Sequence, residues 1–293
     1  MIKNSMSTHV INKIKLFLVL GRYNYPIGAL LLMWPCLWGV FYKTNNHENL
    51  IEIILLFVIG SFVMRGAGCC INDFFDRDLD KKVTRTKGRP LASGALNIKE
   101  AAFFLCIQLF IGFCVVINFN FKTIFFSFLI IPLVLIYPLM KRIMNYPQFF
   151  LGFIFNWGVL IGFMSQSNTL NTGIIFLFLG GVFFTISYDT TYAFQDLKDD
   201  KKFGIKSFAI ILEKKSERNI FLLLLLSYFF FTLSLTNIEG VGFSSNLLLS
   251  LPILVCYVMQ FFLFIKKRYK LFFDSSALTG FIVLIVYLTA NYL

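Results

Sequence analysis

Nine apolar stretches recur along the 293-residue chain, at residues 22–42, 50–71, 101–119, 122–140, 149–166, 172–191, 218–236, 246–265 and 276–293. Each approaches the length that crosses a bilayer as a helix, about 17 to 25 residues. Lipid offers no partner to backbone N–H and C=O groups, so such runs permit helices and exclude open sheets. The expectation is an all-α, polytopic membrane protein with nine transmembrane helices, forming one domain over residues 1–293. With 58% of residues hydrophobic and 14% charged, little is left over for a soluble domain.

The net charge of +12 would suit nucleic acid, but its placement argues for topology. With the N-terminus inside, the inner loops carry four, seven, two, seven and four Lys/Arg, which is 24 of the 27. The exceptions are Lys43 and Lys122 in outer loops and Arg65 within the second stretch. This positive-inside pattern puts the N-terminus in the cytoplasm and the C-terminus outside. No cleavable signal peptide is expected, because the basic N-terminal segment runs straight into the first apolar stretch. The six cysteines all lie in apolar stretches without CxxC spacing and read as small buried hydrophobes. The two histidines, His9 and His47, fall in the tail and an outer loop, which argues against a His-based metal site or a Ser-His triad.

Against this background the carboxylates stand out. Of 15 acidic residues, eight lie in two short windows, Asn72-Asp73-x-x-Asp76-x-Asp78-x-Asp80 and Asp189-x-x-Tyr192-x-x-x-Asp196-x-x-Asp199-Asp200. Both windows end an apolar stretch on the inner face. At about 100° per residue, Asn72, Asp73, Asp76 and Asp80 share roughly a quarter-turn arc of one helix. Taking 189–200 as one helix, Asp189, Tyr192, Asp196, Asp199 and Asp200 span a similar arc. Like charges stacked on one face repel unless cations compensate. Hard oxygen donors without His or Cys favour Mg²⁺ or Ca²⁺, and Mg²⁺ completes its shell with water and substrate phosphates.

Basic residues adjoin both windows. Arg85 and Arg89 follow the first, Lys206 follows the second, and Lys141-Arg142 ends the fourth stretch. Carboxylates that hold a metal beside Arg and Lys that hold phosphate oxygens make a diphosphate site. Arg65 differs from these, since a charge within a spanning helix costs about 2.5–3.5 kcal/mol on insertion scales and so implies a partner. It precedes Asn72 by two turns, about 10 Å along the axis, the reach of a small aromatic acid. The acidic ends of stretches 2 and 6, and the basic ends of 4 and 8, suggest two related four-helix halves plus one helix, with the site between them. The inner loops at residues 73–99 and 200–217 are expected to cap it.

At these residues the chain resembles the membrane aromatic prenyltransferases (the UbiA family), and within them the branch that acts on 4-hydroxybenzoate. The stretches that carry the resemblance begin with Pro26-Ile-Gly28 and Trp34-Pro35, then Met64-Arg65-Gly-Ala-Gly-Cys69 and the two acidic windows. Arg85-Thr-x-x-Arg89-Pro-Leu-x-Ser-Gly94, Tyr137-Pro-x-x-Lys141-Arg142 and Gly204-Ile-Lys-Ser207 complete them. The resemblance implies nine helices around a cavity open laterally to lipid, and Mg²⁺ with an allylic polyprenyl diphosphate bound between the acidic motifs. It puts Asn72, Asp76, Asp80, Asp196 and Asp199 at metal positions, Lys141 and Arg142 beside the phosphates, and Arg65 on the acceptor's carboxylate. Asp200 is added to the metal set, and Asp189, one to two turns deeper, to the phenol hydroxyl or its proton. Asn24-Tyr25 departs from the acidic-basic pair the family shows before Pro26, and the last two stretches match poorly. No obligate protein partner is expected. Two other readings are a prenyltransferase with another acceptor and a secondary transporter, whose ionisable sites would lie near the midplane.

The charge distribution makes a topological prediction. A reporter fused after Lys87 or Lys202 reads cytoplasmic and one fused at Leu293 reads periplasmic; an even number of spans would put both on one side.

Overall fold

The computed structural model describes residues 2–42, 49–167 and 169–292, without the side chains of residues 2–10 and Lys141. His9's side chain, Lys43, His47, Leu293 and the side chain of Lys141 therefore lie outside the described residues. Regular structure among them is helical throughout: α1 (Ile2–Leu20), α2 (Ile27–Phe41), α3 (Leu50–Asp80), α4 (Ile98–Val116), α5 (Phe121–Leu129), α6 (Ile131–Ile143) and α7 (Pro147–Met164). There follow α8 (Thr172–Ala193), α9 (Leu197–Phe203), α10 (Phe208–Leu212), α11 (Ser216–Leu235), α12 (Phe243–Ile265) and α13 (Tyr269–Ala290).

Eight segments among the described residues are long and apolar enough to cross a bilayer, counting Phe121–Met140 and Phe208–Leu235 as one each. The expected first span is the exception. It forms α2, only 15 residues long, which reaches about 22 Å against a hydrocarbon core of about 30 Å. Residues 22–25 are spent on a turn in which Arg22 adopts φ 60°, so the helix starts only after Pro26. The nine expected spans are thus eight long ones and this shorter, largely buried helix.

Neighbouring helices close a ring: α2 packs on α3, α3 on α4 and α6, α6 on α7, α7 on α8, α8 on α11, α11 on α12, α12 on α13, and α13 back on α2. Across it α2 also packs along α7, the first helices of the two expected halves. Glycine makes that contact possible. A Cβ on Gly39 would collide with the Val159 carbonyl oxygen, and one on Gly162 with that of Cys36. Polar side chains join the other helices, as expected where lipid supplies no hydrophobic drive between them. Ser227 Oγ donates to Gly180 O at 2.7 Å, Tyr287 Oη to Phe231 O at 3.0 Å, and Trp38 Nε1 to Gly280 O at 2.9 Å.

Two local expectations are corrected. The fourth stretch is two helices that meet at Ile130, because Pro132 near the start of α6 has no N–H to continue the ladder of α5. The second acidic window is not on one helix. α8 stops at Ala193, residues 194–196 turn, and Asp196 is the N-cap of α9. The shared arc computed for 189–200 therefore does not exist, and tertiary folding rather than helix period groups these residues. The first window behaves as expected: α3 runs unbroken to Asp80, nine residues past the apolar stretch, and buries Asp73, Asp76 and Asp80.

The α2–α7 contact yields a prediction. Gly162→Ala forces two backbones apart and lowers stability by about 1–3 kcal/mol, the cost of overpacking a close-packed interior. The thermal midpoint of the purified protein in detergent reads this, and a midpoint equal to wild type would contradict the close approach.

Candidate active site

A cavity of about 280 Å³ opens where the acidic ends of α3 and α8–α9 meet the segment after α3 and the turn before α2. Of the residues singled out in the sequence, it gathers Asp76, Asp80, Asp189, Asp196 and Asp200 with Arg65, Arg85, Arg89 and Lys206. Asn72, Asp199 and Arg142 are not in its wall. Arg142 is exposed and donates through Nη2 to Phe75 O at 2.7 Å, clasping α6 to α3. Asp199 Oδ2 accepts from the Thr84 N–H at 3.2 Å.

Arginines and carboxylates alternate through the site. Asp73, the most buried at 1% exposure, accepts from Arg22 Nη2 at 2.8 and 3.0 Å and from Arg89 Nη1 at 3.2 Å. The same Arg89 atom reaches Asp80 Oδ2 at 2.8 Å. Arg85 grips Asp196 through Nε (2.9 and 3.1 Å) and Nη2 (2.6 Å), and its guanidinium lies 5.2 Å over the Tyr192 ring. Burial draws the Arg85 pKa down, but the hydrogen bonds to Asp196 and the electrostatic pull of Tyr192, Asp196 and Asp80 together outweigh it and hold the group above its ordinary value. Together with Thr84–Asp199, this pair straps the segment after α3 across to α9.

The opposite wall is pinned from the end of α6 and the start of α7. Gln148 Oε1 accepts from the Phe208 N–H at 3.0 Å, and Lys206 Nζ donates to Ile143 O at 2.9 Å. Deeper in, Arg65 lies 5.4 Å over the Phe155 ring, and its Nε is buried without a hydrogen-bond partner. Asp189 and Tyr137 share that end of the cavity.

Among the described residues, no three Asp, Glu, His or Cys side chains converge closely enough to hold a metal ion. The guanidiniums of Arg22, Arg85 and Arg89 stand between the carboxylates and supply the compensating charge. A donor set made of hard oxygens nevertheless fits Mg²⁺. Asn72 Oδ1, one turn before Asp76, adds an observation of its own: it is buried with no hydrogen-bond partner.

Sequence reading missed Arg22, Tyr23, Tyr25, Gln148 and Ser207 in the wall. Arg22 is one of the 24 cations that the charge count assigns to the inner face, and it stands four residues before Pro26. The departure at Tyr25 is accommodated locally: its hydroxyl bonds Asp274, and Lys270 Nζ lies 5.4 Å over its ring.

Residues 32–285 match the UbiA prenyltransferase family. The chain belongs to that family. It is 38% identical over 246 residues to a 4-hydroxybenzoate octaprenyltransferase of Marinomonas sp., covering 84% of both chains. It is 45% identical over 192 residues to 4-hydroxybenzoate geranyltransferase 1 of Lithospermum erythrorhizon, covering 65% of this chain and 62% of that one. The fold is that of solved UbiA homologues. One from Aeropyrum pernix superposes with a TM-score of 0.75 at 19% identity, over 91% of this chain and 98% of its own. One from Archaeoglobus fulgidus, bound to GPP and Mg²⁺, gives 0.67 at 14% identity, over 95% and 100%.

The ion pairs of this UbiA-family site differ in weight. Arg89→Ala leaves Asp80 and Asp73 short of a counter-ion in a buried setting and costs about 3 kcal/mol. Arg85→Ala, at the more exposed pair, costs about 1 kcal/mol or less. Thermal denaturation of the two variants side by side checks the order.

Proposed function

We propose that this protein transfers a polyprenyl group from an allylic polyprenyl diphosphate to the ring carbon ortho to the hydroxyl of 4-hydroxybenzoate. The product is 3-polyprenyl-4-hydroxybenzoate, an intermediate of ubiquinone biosynthesis. One observation carries the reading: five basic and five acidic side chains line a single cavity, with Arg65 and Asp189 at its deep end. The names of the relatives support the acceptor, and the ligands of the Archaeoglobus fulgidus homologue support the donor and the metal.

Asp76, Asp80, Asp196 and Asp200 in the wall, joined by Asn72 and Asp199 from just outside it, would hold Mg²⁺. Bound there, the metal supplies positive charge that lets a diphosphate leave. Arg85, Arg89, Lys206 and Arg142 hold the phosphate oxygens, exchanging carboxylate or carbonyl partners for them, and Lys141 joins them. The C–O bond to the diphosphate breaks, and the electron pair leaves with it. The rings of Tyr192, Tyr137 and Phe273 flank the allylic cation in the cavity, a favourable placement for positive charge. The ring carbon ortho to the hydroxyl attacks, and loss of its proton restores aromaticity. Arg65 grips the acceptor carboxylate, and Asp189 orients the phenol hydroxyl or takes its proton. The segments 73–99 and 200–217 close over the cavity and exclude water. The membrane is the bacterial inner membrane, with the site on the cytoplasmic side. An acid-base site at the helix ends, not the midplane, disfavours a transporter.

Two measurements test this. Asp76→Ala and Asp196→Ala each abolish prenyl transfer in membranes, as does EDTA, with recovery on adding Mg²⁺; activity that survives EDTA sinks the metal assignment. Arg65→Ala raises the KM for 4-hydroxybenzoate ten- to hundredfold, the worth of a charge-assisted hydrogen bond of about 1.5–3 kcal/mol. It leaves the KM for the polyprenyl diphosphate nearly unchanged, whereas Arg142→Ala weakens use of the diphosphate. Equal damage to both substrates by Arg65→Ala would reassign it to the phosphates or to folding.

A further inference from the structure

The helix α1 was not expected from the sequence, and it has two apolar faces. One packs on the protein: Leu16, Phe17 and Leu20 sit against Cys70, Leu91, Leu96 and Ala101. Phe17 meets the ring of Phe104 at 5.0 Å, and Lys13 pairs with Glu100. The other face is exposed. Ile11, Ile14 and Leu18 are 49, 53 and 45% exposed, and helical spacing gathers them in an arc of about 60°, centred about 140° around the helix from the packed side. A helix apolar on both sides needs a second apolar environment.

Where α1 lies identifies that environment. Its contacts Glu100 and Phe104 belong to the first turns of α4, one of the spanning helices. There the polar cap Asn97-Ile-Lys99-Glu100 gives way to an apolar run. The neighbouring Ile98 and Phe103 are themselves exposed, at 50 and 66%. The free face of α1 therefore continues the lipid-facing surface of α4 at its polar-apolar boundary. α1 also carries three lysines and no acidic residue, a composition suited to anionic headgroups.

The helix ends on the active site. Arg22 turns back through Nη1 onto the carbonyls of Val19 (2.8 Å) and Leu20 (3.2 Å), while its Nη2 holds Asp73. One side chain thus closes the C-terminus of α1 and sets a wall of the cavity.

We propose that α1 is an interfacial anchor. Its Ile11–Ile14–Leu18 face seats at the acyl–headgroup boundary of the bilayer, Lys15 faces anionic phosphates, and this seating fixes Arg22 against Asp73. The contact with lipid stands independently of the reaction; its effect on substrate rests on the function proposed above.

Full-length protein carrying a benzophenone amino acid at position 14, and separately at position 12, is reconstituted in phosphatidylcholine–phosphatidylglycerol vesicles and irradiated. Position 14 is expected to yield lipid adducts and position 12 far fewer. Adducts of position 14 to a second copy of the chain, or to neither lipid nor protein, overturn the proposal. In the same vesicles Ile14→Glu/Leu18→Glu raises the KM for the polyprenyl diphosphate several-fold with little change in kcat, and Ile14→Val/Leu18→Ile restores it. Lipid adducts with an unchanged KM would keep the anchor but refute the coupling to Arg22. Absence of prenyl transfer by the unsubstituted protein in the same vesicles, with position 14 still yielding lipid adducts, would count against the proposed reaction instead.

Discussion

Burying Asp73 constrains everything around it. A carboxylate at 1% exposure on the end of an apolar helix is tolerable only when paired, because an uncompensated buried charge costs several kcal/mol. Two guanidiniums from opposite directions meet this demand, Arg22 from the turn before α2 and Arg89 from the segment after α3. To deliver them, α1 must end beside α3, and the chain after Asp80 must fold back over the helix end rather than trail into water. Arg89 then serves Asp80 as well, Thr86 Oγ1 donates to the Asp80 carbonyl at 3.2 Å, and Arg85 is left facing Asp196. The architecture of the polar end follows from neutralising one buried charge.

What the sequence made legible is what depends on periodicity and solvation. The spanning stretches could be read because hydrocarbon admits little else, and the first acidic arc because α3 is continuous from Leu50 to Asp80. The second acidic arc was illegible because its grouping comes from tertiary contacts. Phe194 packs on Phe264 and Tyr269 at 5.4 and 5.6 Å between ring centres, which turns the chain between α8 and α9 and aims Asp196 and Asp200, not Asp199, at the cavity. No helical repeat encodes that turn.

Arg22 was hidden for a different reason. A cation on the inner side of a membrane protein is expected on topological grounds alone, so composition cannot separate one that builds a site from one that only orients the chain. The partners of Arg85 and Arg89 were hidden likewise: sequence placed both near the acidic windows, but not in two-pronged contact with particular carboxylates. α2 shows the limit of a length criterion. Its interior role rests on glycines that admit the backbone of α7, and a hydropathy window does not register this.

The bond between Arg85 and Asp196 has a consequence for turnover. On the proposed reaction, once the prenyl group has moved, pyrophosphate must leave a pocket built to attract it. Asp196 is tethered within reach of the guanidinium and competes for it intramolecularly, at an effective concentration that the fold sets. Each departing phosphate oxygen is replaced by a carboxylate oxygen, so the arginine is never stripped bare. The enzyme thereby carries its own displacing ligand, and the affinity that captures the donor need not slow the release of what remains of it.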